Sequence, residues 1–191
     1  KIEFQDVSFS YPESEVLALD KVSFTINPGE KVAVIGRIGS GKSTITKLIL
    51  RLFEPTSGKI LIDGIDISQI DPADLRRYTS YVPQEINLFK GTIKDNIISS
   101  EQHPHAEDII HAAQVSGVES FVATHPLGYD MPIGERGAGL SGGQKQSVGI
   151  ARALMNETSV MLMDEPSNAM DQTTEINLLQ NLSKELSNKT V

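Results

Sequence analysis

The sequence predicts an α/β domain, and three observations carry that prediction. Apolar runs of strand length, such as KVAVI (31–35) and SVMLM (159–163), alternate with amphipathic stretches such as ITKLILRLF (45–53). The nine residues GRIGSGKST (36–44) join one such run to one such stretch, in the order strand, loop, helix. The chain has 191 residues, 39% of them hydrophobic, which suffices for the core of one such domain with a small insertion.

The elements follow in order. IEFQDVSFSY (2–11) alternates like a strand, and residues 17–36 predict two more strands around a Pro28-Gly29 turn. The helix over 45–53 ends at EPTSG, where Pro55 and Gly58 stop it. KILIDGIDIS (59–68) predicts a hairpin turning at Asp63-Gly64. A short helix then starts with Asp71 as cap and Pro72 at its first position, and TSYVP (79–83) returns as a strand. From Glu85 to Asn156 the pattern is polar and helical, as in AEDIIHAAQVSGVESFVATH, and reads as an inserted helical subdomain. SVMLMDEP resumes a buried strand.

The loop 36–44 fits G-x-x-x-x-G-K-[ST]. Gly36, Gly39 and Gly41 let successive backbone N–H groups turn inward onto phosphate oxygens, where a Cβ would obstruct them. Lys42 supplies a point charge for the outer phosphates, the Ser43 hydroxyl can ligate Mg²⁺, and the following helix offers its positive N-terminus. An ordinary glycine-rich β-to-α turn would not need the lysine and hydroxyl at these spacings.

A second anion site is read in LSGGQKQSVGIARALM (140–155). Ser141 is a helix N-cap, and Gly142 and Gly143 leave N–H groups uncovered at a positive helix end. This site has no lysine. The net charge of −8, with no basic block, argues against a nucleic-acid backbone as partner. Without cysteine there is no disulfide, thiolate zinc site or thiol nucleophile, which fits a reducing compartment. No apolar run nears the ~20 residues of a membrane helix, and the N-terminus lacks a signal peptide's apolar stretch. Any membrane association is therefore expected to come from a partner.

Taken together these motifs resemble the nucleotide-binding domain of ABC transporters over essentially the whole chain. Walker A is 36–44, the Q-loop glutamine is Gln84 in YVPQ, the signature is 140–144, Walker B is VMLMDE ending at Asp164 and Glu165, and SNAMD (167–171) is similar to the D-loop. Tyr11 in SFSYP stands where the family has its adenine-stacking aromatic. The resemblance implies a P-loop NTPase (RecA-like) core with an N-terminal antiparallel β subdomain and an inserted helical subdomain: residues 1–84 and 157–191 as the ATP-binding core, and 85–156 as the helical subdomain carrying the signature.

Its implied ligands are ATP and Mg²⁺. Glu165 would be the catalytic base, acting with Gln84 and Lys42. Ser43, Gln84 and Asp164 would hold the metal. Tyr11, the loop residues Gly36, Arg37, Ile38, Gly39, Ser40, Gly41, Lys42, Ser43 and Thr44, and the signature residues Ser141, Gly142, Gly143 and Gln144 would hold the nucleotide. Two copies would pair head to tail, each ATP lying between the Walker A of one and the signature of the other. The transmembrane domains of a transporter, at the cytoplasmic side of the cell membrane, complete the implied assembly.

The fragments IDPADLRRY, YVPQEINLF, GTIKDNI and AMD are most similar to exporters, especially the bacterial type I protein secretion branch, with export of peptides or lipids as the rival. IGERGAG (133–139) resembles the exporter segment that meets the partner's coupling helices. Two departures stand out: Asn168 occupies a D-loop position where a small residue is commoner, and the switch-loop histidine expected after the strand beginning KTV falls past Val191. His103, His105, His111 and His125 match no motif and are expected to be surface or packing residues. A soluble ABC ATPase of DNA repair or translation would carry a long coiled-coil insertion or basic patches, and a GTP switch would carry Asn-Lys-x-Asp, whereas NKTV (188–191) lacks the aspartate. A subunit that binds without hydrolysing is disfavoured by Glu165.

Overall fold

A computed structural model describes residues 1–98 and 104–191, which fall into two compact units: 1–79 with 189–191, and 80–188. His103 lies outside the described residues.

In the first unit, strands β1 (Ile2–Ser10) and β2 (Leu17–Ile26) pair antiparallel, with Phe4 opposite Phe24 and their rings stacked 4.4 Å apart. Helix α1 (Lys42–Ile49) follows the glycine loop, and β3 (Ser57–Ile62) and β4 (Ile65–Asp66) complete a sheet of order β2-β1-β3-β4. Alternation along β1, shifted by a bulge at Asp6 (φ 49°), places Ile2 and Phe4 and then Val7 and Phe9 inside, with Ile60 of β3 opposite Phe4. The β3–β4 turn has Asp63 at φ 50° and Gly64 at φ 84°, the two left-handed residues that a tight hairpin needs. Helix α2 (Pro72–Arg77) starts as its sequence predicts, with the Asp71 side chain accepting the Ala73 N–H and Pro72 in the first turn.

Two expectations fail here. Residues 31–35 do not form a strand, and Val32, Val34 and Ile35 are 42%, 49% and 92% exposed. A strand exists only through its partner. Val32 N–H bonds the Val191 carbonyl (2.8 Å) and the carbonyl of Glu30, just before this run, accepts the Val191 N–H (2.9 Å), but residues 31–35 do not extend this pairing into a strand. The helix expected over 45–53 stops at Ile49, because Arg51 adopts φ 51° and its guanidinium is fixed to the Ile70 carbonyl (2.7 Å) and Glu54 (3.1 Å).

The second unit contains β5 (Thr79–Val82), β6 (Gly91–Thr92), α3 (Ile93–Ile97), α4 (Ala106–Ser116), α5 (Glu119–Val122), β7 (Pro132–Ile133), α6 (Gly142–Leu154), β8 (Val160–Met163) and α7 (Gln172–Glu185). β5 pairs with β8, and β6 pairs antiparallel with β7. The helices close over a core that includes Ile93, Ile97, Ala113, Val118, Val122 and Val148. α4 ends where Gly117 turns to φ 83°, splitting the helical run expected from the sequence.

Buried Asn96 organises the stretch after Gln84. It accepts from the Phe89 N–H (3.0 Å), donates to the Phe89 and Thr92 carbonyls, and receives Arg152 of α6. Compactness divides the chain at 79/80 and 188/189, with β5 paired to β8 and α7 packed on α4. His111 Nε2 lies 2.8 Å from Glu185 Oε2 between α4 and α7, and His125 Nδ1 accepts the Leu127 N–H, so both are packing or surface groups as expected.

Candidate functional site

In the first unit, Gly39 and Gly41 lie at φ 82° and 85°. A Cβ on Gly41 would stand 2.4 Å from the Ala18 carbonyl oxygen and 2.8 Å from Leu19, so only glycine lets the loop pass over β2 into α1. Gly41 also caps α1 without a side chain, and no acidic residue occupies the first turn. Among the described residues the N–H groups of Gly39, Gly41, Lys42 and Ser43 have no protein acceptor. They form an open cluster of donors at a positive helix end. Lys42 folds back over the loop, its Nζ donating to the carbonyls of Gly36 and Arg37 at 3.0 Å each. Its ammonium therefore stays on the loop, bonded to two of its carbonyls. Ser40 N–H closes the turn onto Arg37, and Arg37 and Ile38 form an exposed tip.

Tyr11 joins this loop by a route the sequence did not disclose. Its hydroxyl pairs with Thr44 Oγ1 at 3.0 Å, and its ring meets Phe9 and Phe53 edge-on at 5.0 and 5.2 Å. The Lys47 ammonium lies 5.5 Å from the ring centroid.

The second unit gathers the remaining candidates. β8 stops at Met163, and the Asp164 N–H continues toward β5 by bonding the Val82 carbonyl at 2.9 Å. Asp164 is 9% exposed, and its carboxylate has no ion-pair partner among the described residues. A buried anion of this kind fits a cation ligand. Glu165 turns to φ 49°, so strand geometry does not persist through the acidic pair; its side chain is aimed by a left-handed kink and not by strand alternation. Gln84 Nε2 donates to Glu165 Oε2 at 2.8 Å, which leaves the Gln84 amide oxygen available to a hard cation.

The signature is built as a capped helix start. The Ser141 hydroxyl accepts from the Gln144 N–H (3.2 Å) while Gln144 Oε1 accepts from the Ser141 N–H (2.9 Å), a reciprocal capping box. Among the described residues the N–H groups of Gly142 and Gly143 stay free, at the N-terminus of the 13-residue α6. A cavity of about 200 Å³ opens there, lined by Ser120, Phe121, Ser141, Gln144, Asp171 and Thr174.

The structure thus brings Tyr11 together with 36–44 in one unit, and Gln84, Asp164, Glu165 and 141–144 in the other. Sequence reasoning missed Gln146, which ties α6 to the segment after Glu165; its signal was a polar residue on the buried face of α6. Each unit offers unpaired N–H donors at a helix start, and the second adds a carboxylate held by an amide. Those are the parts that phosphate binding and water activation require.

Residues 19–168 match the ABC transporter family. The chain is 45% identical over 183 residues to the uncharacterized ABC transporter ATP-binding protein YfiB of Bacillus subtilis, covering 96% of this chain and 32% of that protein. It is 43% identical over 190 residues to the cyclolysin secretion/processing ATP-binding protein CyaB of Bordetella pertussis, and 40% identical to the alpha-hemolysin translocation ATP-binding protein HlyB of Proteus vulgaris, in both cases covering 100% of this chain and 27% of the relative. It therefore spans about a third or less of the length of these relatives. A solved bacterial Atm1-family ABC exporter with ATP bound superimposes with a TM-score of 0.95 at 38% identity, over 99% of this chain and 33% of that one. The free donors of the glycine loop, the capped signature helix and these likenesses converge: the chain belongs to the ABC transporter family, as an ATPase domain of the P-loop fold.

Proposed function

We propose that this chain is the ATP-binding and ATP-hydrolysing motor domain of an exporter, working as a head-to-tail pair around two ATP molecules. The observation that carries the reading is the pair of incomplete phosphate sites on one chain: 36–44 has donors and a lysine, while 141–144 has donors and a helix end but no charge of its own. A twofold pairing completes both at once.

In this reading the phosphates rest on the N–H groups of 36–44, with Lys42 released from the Gly36 and Arg37 carbonyls to the outer oxygens. Tyr11 offers a ring to the base. Mg²⁺ would be held by Ser43, Gln84 and Asp164, and would supply neutralisation of charge on the outer phosphates. Glu165, oriented by Gln84, accepts a proton from the attacking water. Ser141, Gly142, Gly143 and Gln144 of the second copy close over the γ-phosphate, and hydrolysis removes the group that joins the two copies. The helical subdomain, taken as 85–156, meets transmembrane domains at the cytoplasmic side of the cell membrane through its 133–139 segment.

The cargo assigned is protein, by a type I secretion route, on the 43% and 40% identity to proteins named for toxin secretion and translocation. Export of peptides or lipids is the second reading, and the 38% likeness to an Atm1-family exporter supports the exporter class without naming a cargo.

The test is phosphate release from Mg·ATP at rising chain concentration. A specific rate that climbs with concentration and disappears in Glu165→Gln supports the paired ATPase. A rate per chain that is independent of concentration, or retained in Glu165→Gln, refutes it.

A further inference from the structure

Gln146 lies two residues past the signature and is 3% exposed. An amide buried this deeply must find partners, and all three of its hydrogen bonds go to one short loop. Its Nε2 donates to the Glu165 carbonyl at 3.3 Å and to Asn168 Oδ1 at 2.5 Å, and its Oε1 accepts the Ala169 N–H at 3.2 Å. The loop also rests on the signature turn: a Cβ on Gly142 would lie 3.0 Å from Ala169 Cβ, and one on Gly143 would lie 3.1 Å from the Ala169 carbonyl oxygen.

The loop needs such a restraint. Glu165 has φ 49° two residues past the end of β8, so the carboxylate sits on a left-handed backbone position that a non-glycine residue adopts only at a cost. Gln84 fixes the carboxylate end of Glu165, at 2.8 Å. Gln146 fixes the carbonyl end of the same residue. Asn168 is the acceptor that completes the Gln146 amide.

We propose that Gln146 is a positioning residue for hydrolysis: from the signature helix it holds the 165–169 loop in the one conformation that aims the Glu165 carboxylate, with Asn168 as its required partner. The inference rests on the reading of Glu165 as the proton acceptor. It makes no contact with nucleotide in that reading, so its effect falls on turnover and not on binding.

The test compares kcat, the KM for ATP and the equilibrium affinity for Mg·ATP in Gln146→Met, Asn168→Ala and the double variant. Methionine keeps the length and burial of glutamine but neither donates nor accepts in this way. Gln146→Met is expected to lower kcat about tenfold or more, the scale on which a misaimed base loses rate, while KM and affinity stay within about twofold. Asn168→Ala should lower kcat about threefold. The double variant should be no slower than Gln146→Met, since both remove parts of one unit. An unchanged kcat in Gln146→Met overturns the proposal, as does a loss of affinity equal to the loss of kcat, which is the mark of general disruption. Should Gln146→Met not fold, Asn168→Ala decides, because Asn168 is exposed; an unchanged kcat there overturns the proposal. Glu165→Gln measured alongside separates the two failures: turnover at the parent rate in that variant refutes the role of Glu165 itself.

Discussion

Gly39→Ala and Gly41→Ala place the same methyl group on two left-handed positions of one loop, and the structure predicts unequal costs. Both residues sit at nearly the same φ, 82° and 85°, so both substitutions carry a left-handed backbone penalty of about 1–2 kcal/mol. At Gly39 nothing lies within 4 Å of the new Cβ, and the cost ends there. At Gly41 the Cβ meets the Ala18 carbonyl oxygen at 2.4 Å and Leu19 Cδ2 at 2.8 Å. Relief needs a movement of about 1 Å in either β2 or the start of α1, and forced overpacking of this kind costs a further ~1–3 kcal/mol. Gly41→Ala should therefore destabilise by about 2–5 kcal/mol and Gly39→Ala by about 1–2. Urea unfolding of the two variants and the parent measures the difference directly. Because the movement displaces the first N–H groups of α1, Gly41→Ala should also lose more Mg·ATP affinity by calorimetry. Equal unfolding midpoints for the two variants would refute the close approach of the loop to β2.

Lys42→Ala removes the charge proposed to meet the outer phosphates and should weaken Mg·ATP by at least ~10–100-fold, the worth of a charged hydrogen bond of about 1.5–3 kcal/mol; near-unchanged titration calorimetry would mean this loop is not the main phosphate site. Tyr11→Phe keeps the ring and loses the 3.0 Å bond to Thr44, so it should cost ~0.5–1.5 kcal/mol of stability with ATP affinity nearly kept, whereas Tyr11→Ala should weaken ATP and GTP alike, because a π-face reads little of the base edge. Asp171 caps α7: bonds from the Thr174 hydroxyl and N–H and the Thr173 N–H hold its carboxyl below its ordinary 3.8. A depressed folded value means that its stabilisation is complete above pH 3.8 and is lost as pH falls below it, so Asp171→Asn should unfold with a flatter acid limb; an unchanged limb would remove Asp171 from the account.

What the sequence disclosed was mostly local. Asp71 and Ser141 were legible as caps, and Asp63-Gly64 as a turn, since each depends on residues within four positions of itself. Residues 31–35 misled because apolar content reports burial only when a partner strand is present, and the backbone bonds at Val32 and at the preceding Glu30 come from Val191, far along the chain. The end of α1 depended on an Arg51 side chain reaching Ile70. Within the site, the motif order named Gln84 and Glu165 separately, but their 2.8 Å bond joins residues 81 positions apart and no spacing rule encodes it. Gln146 went unread for the same reason: its three partners lie beyond the end of its own helix.

The head-to-tail pairing is the claim on which the rest depends, and sedimentation of the Glu165→Gln chain with and without Mg·ATP measures it. The account predicts a monomer without nucleotide and a dimer with it. Adding Ser141→Arg, which replaces the N-cap of α6 with a bulky side chain and leaves the sequence 36–44 intact, should abolish the dimer while the monomer still binds ATP. A chain that stays monomeric at saturating ATP, or a dimer indifferent to Ser141→Arg, would contradict it.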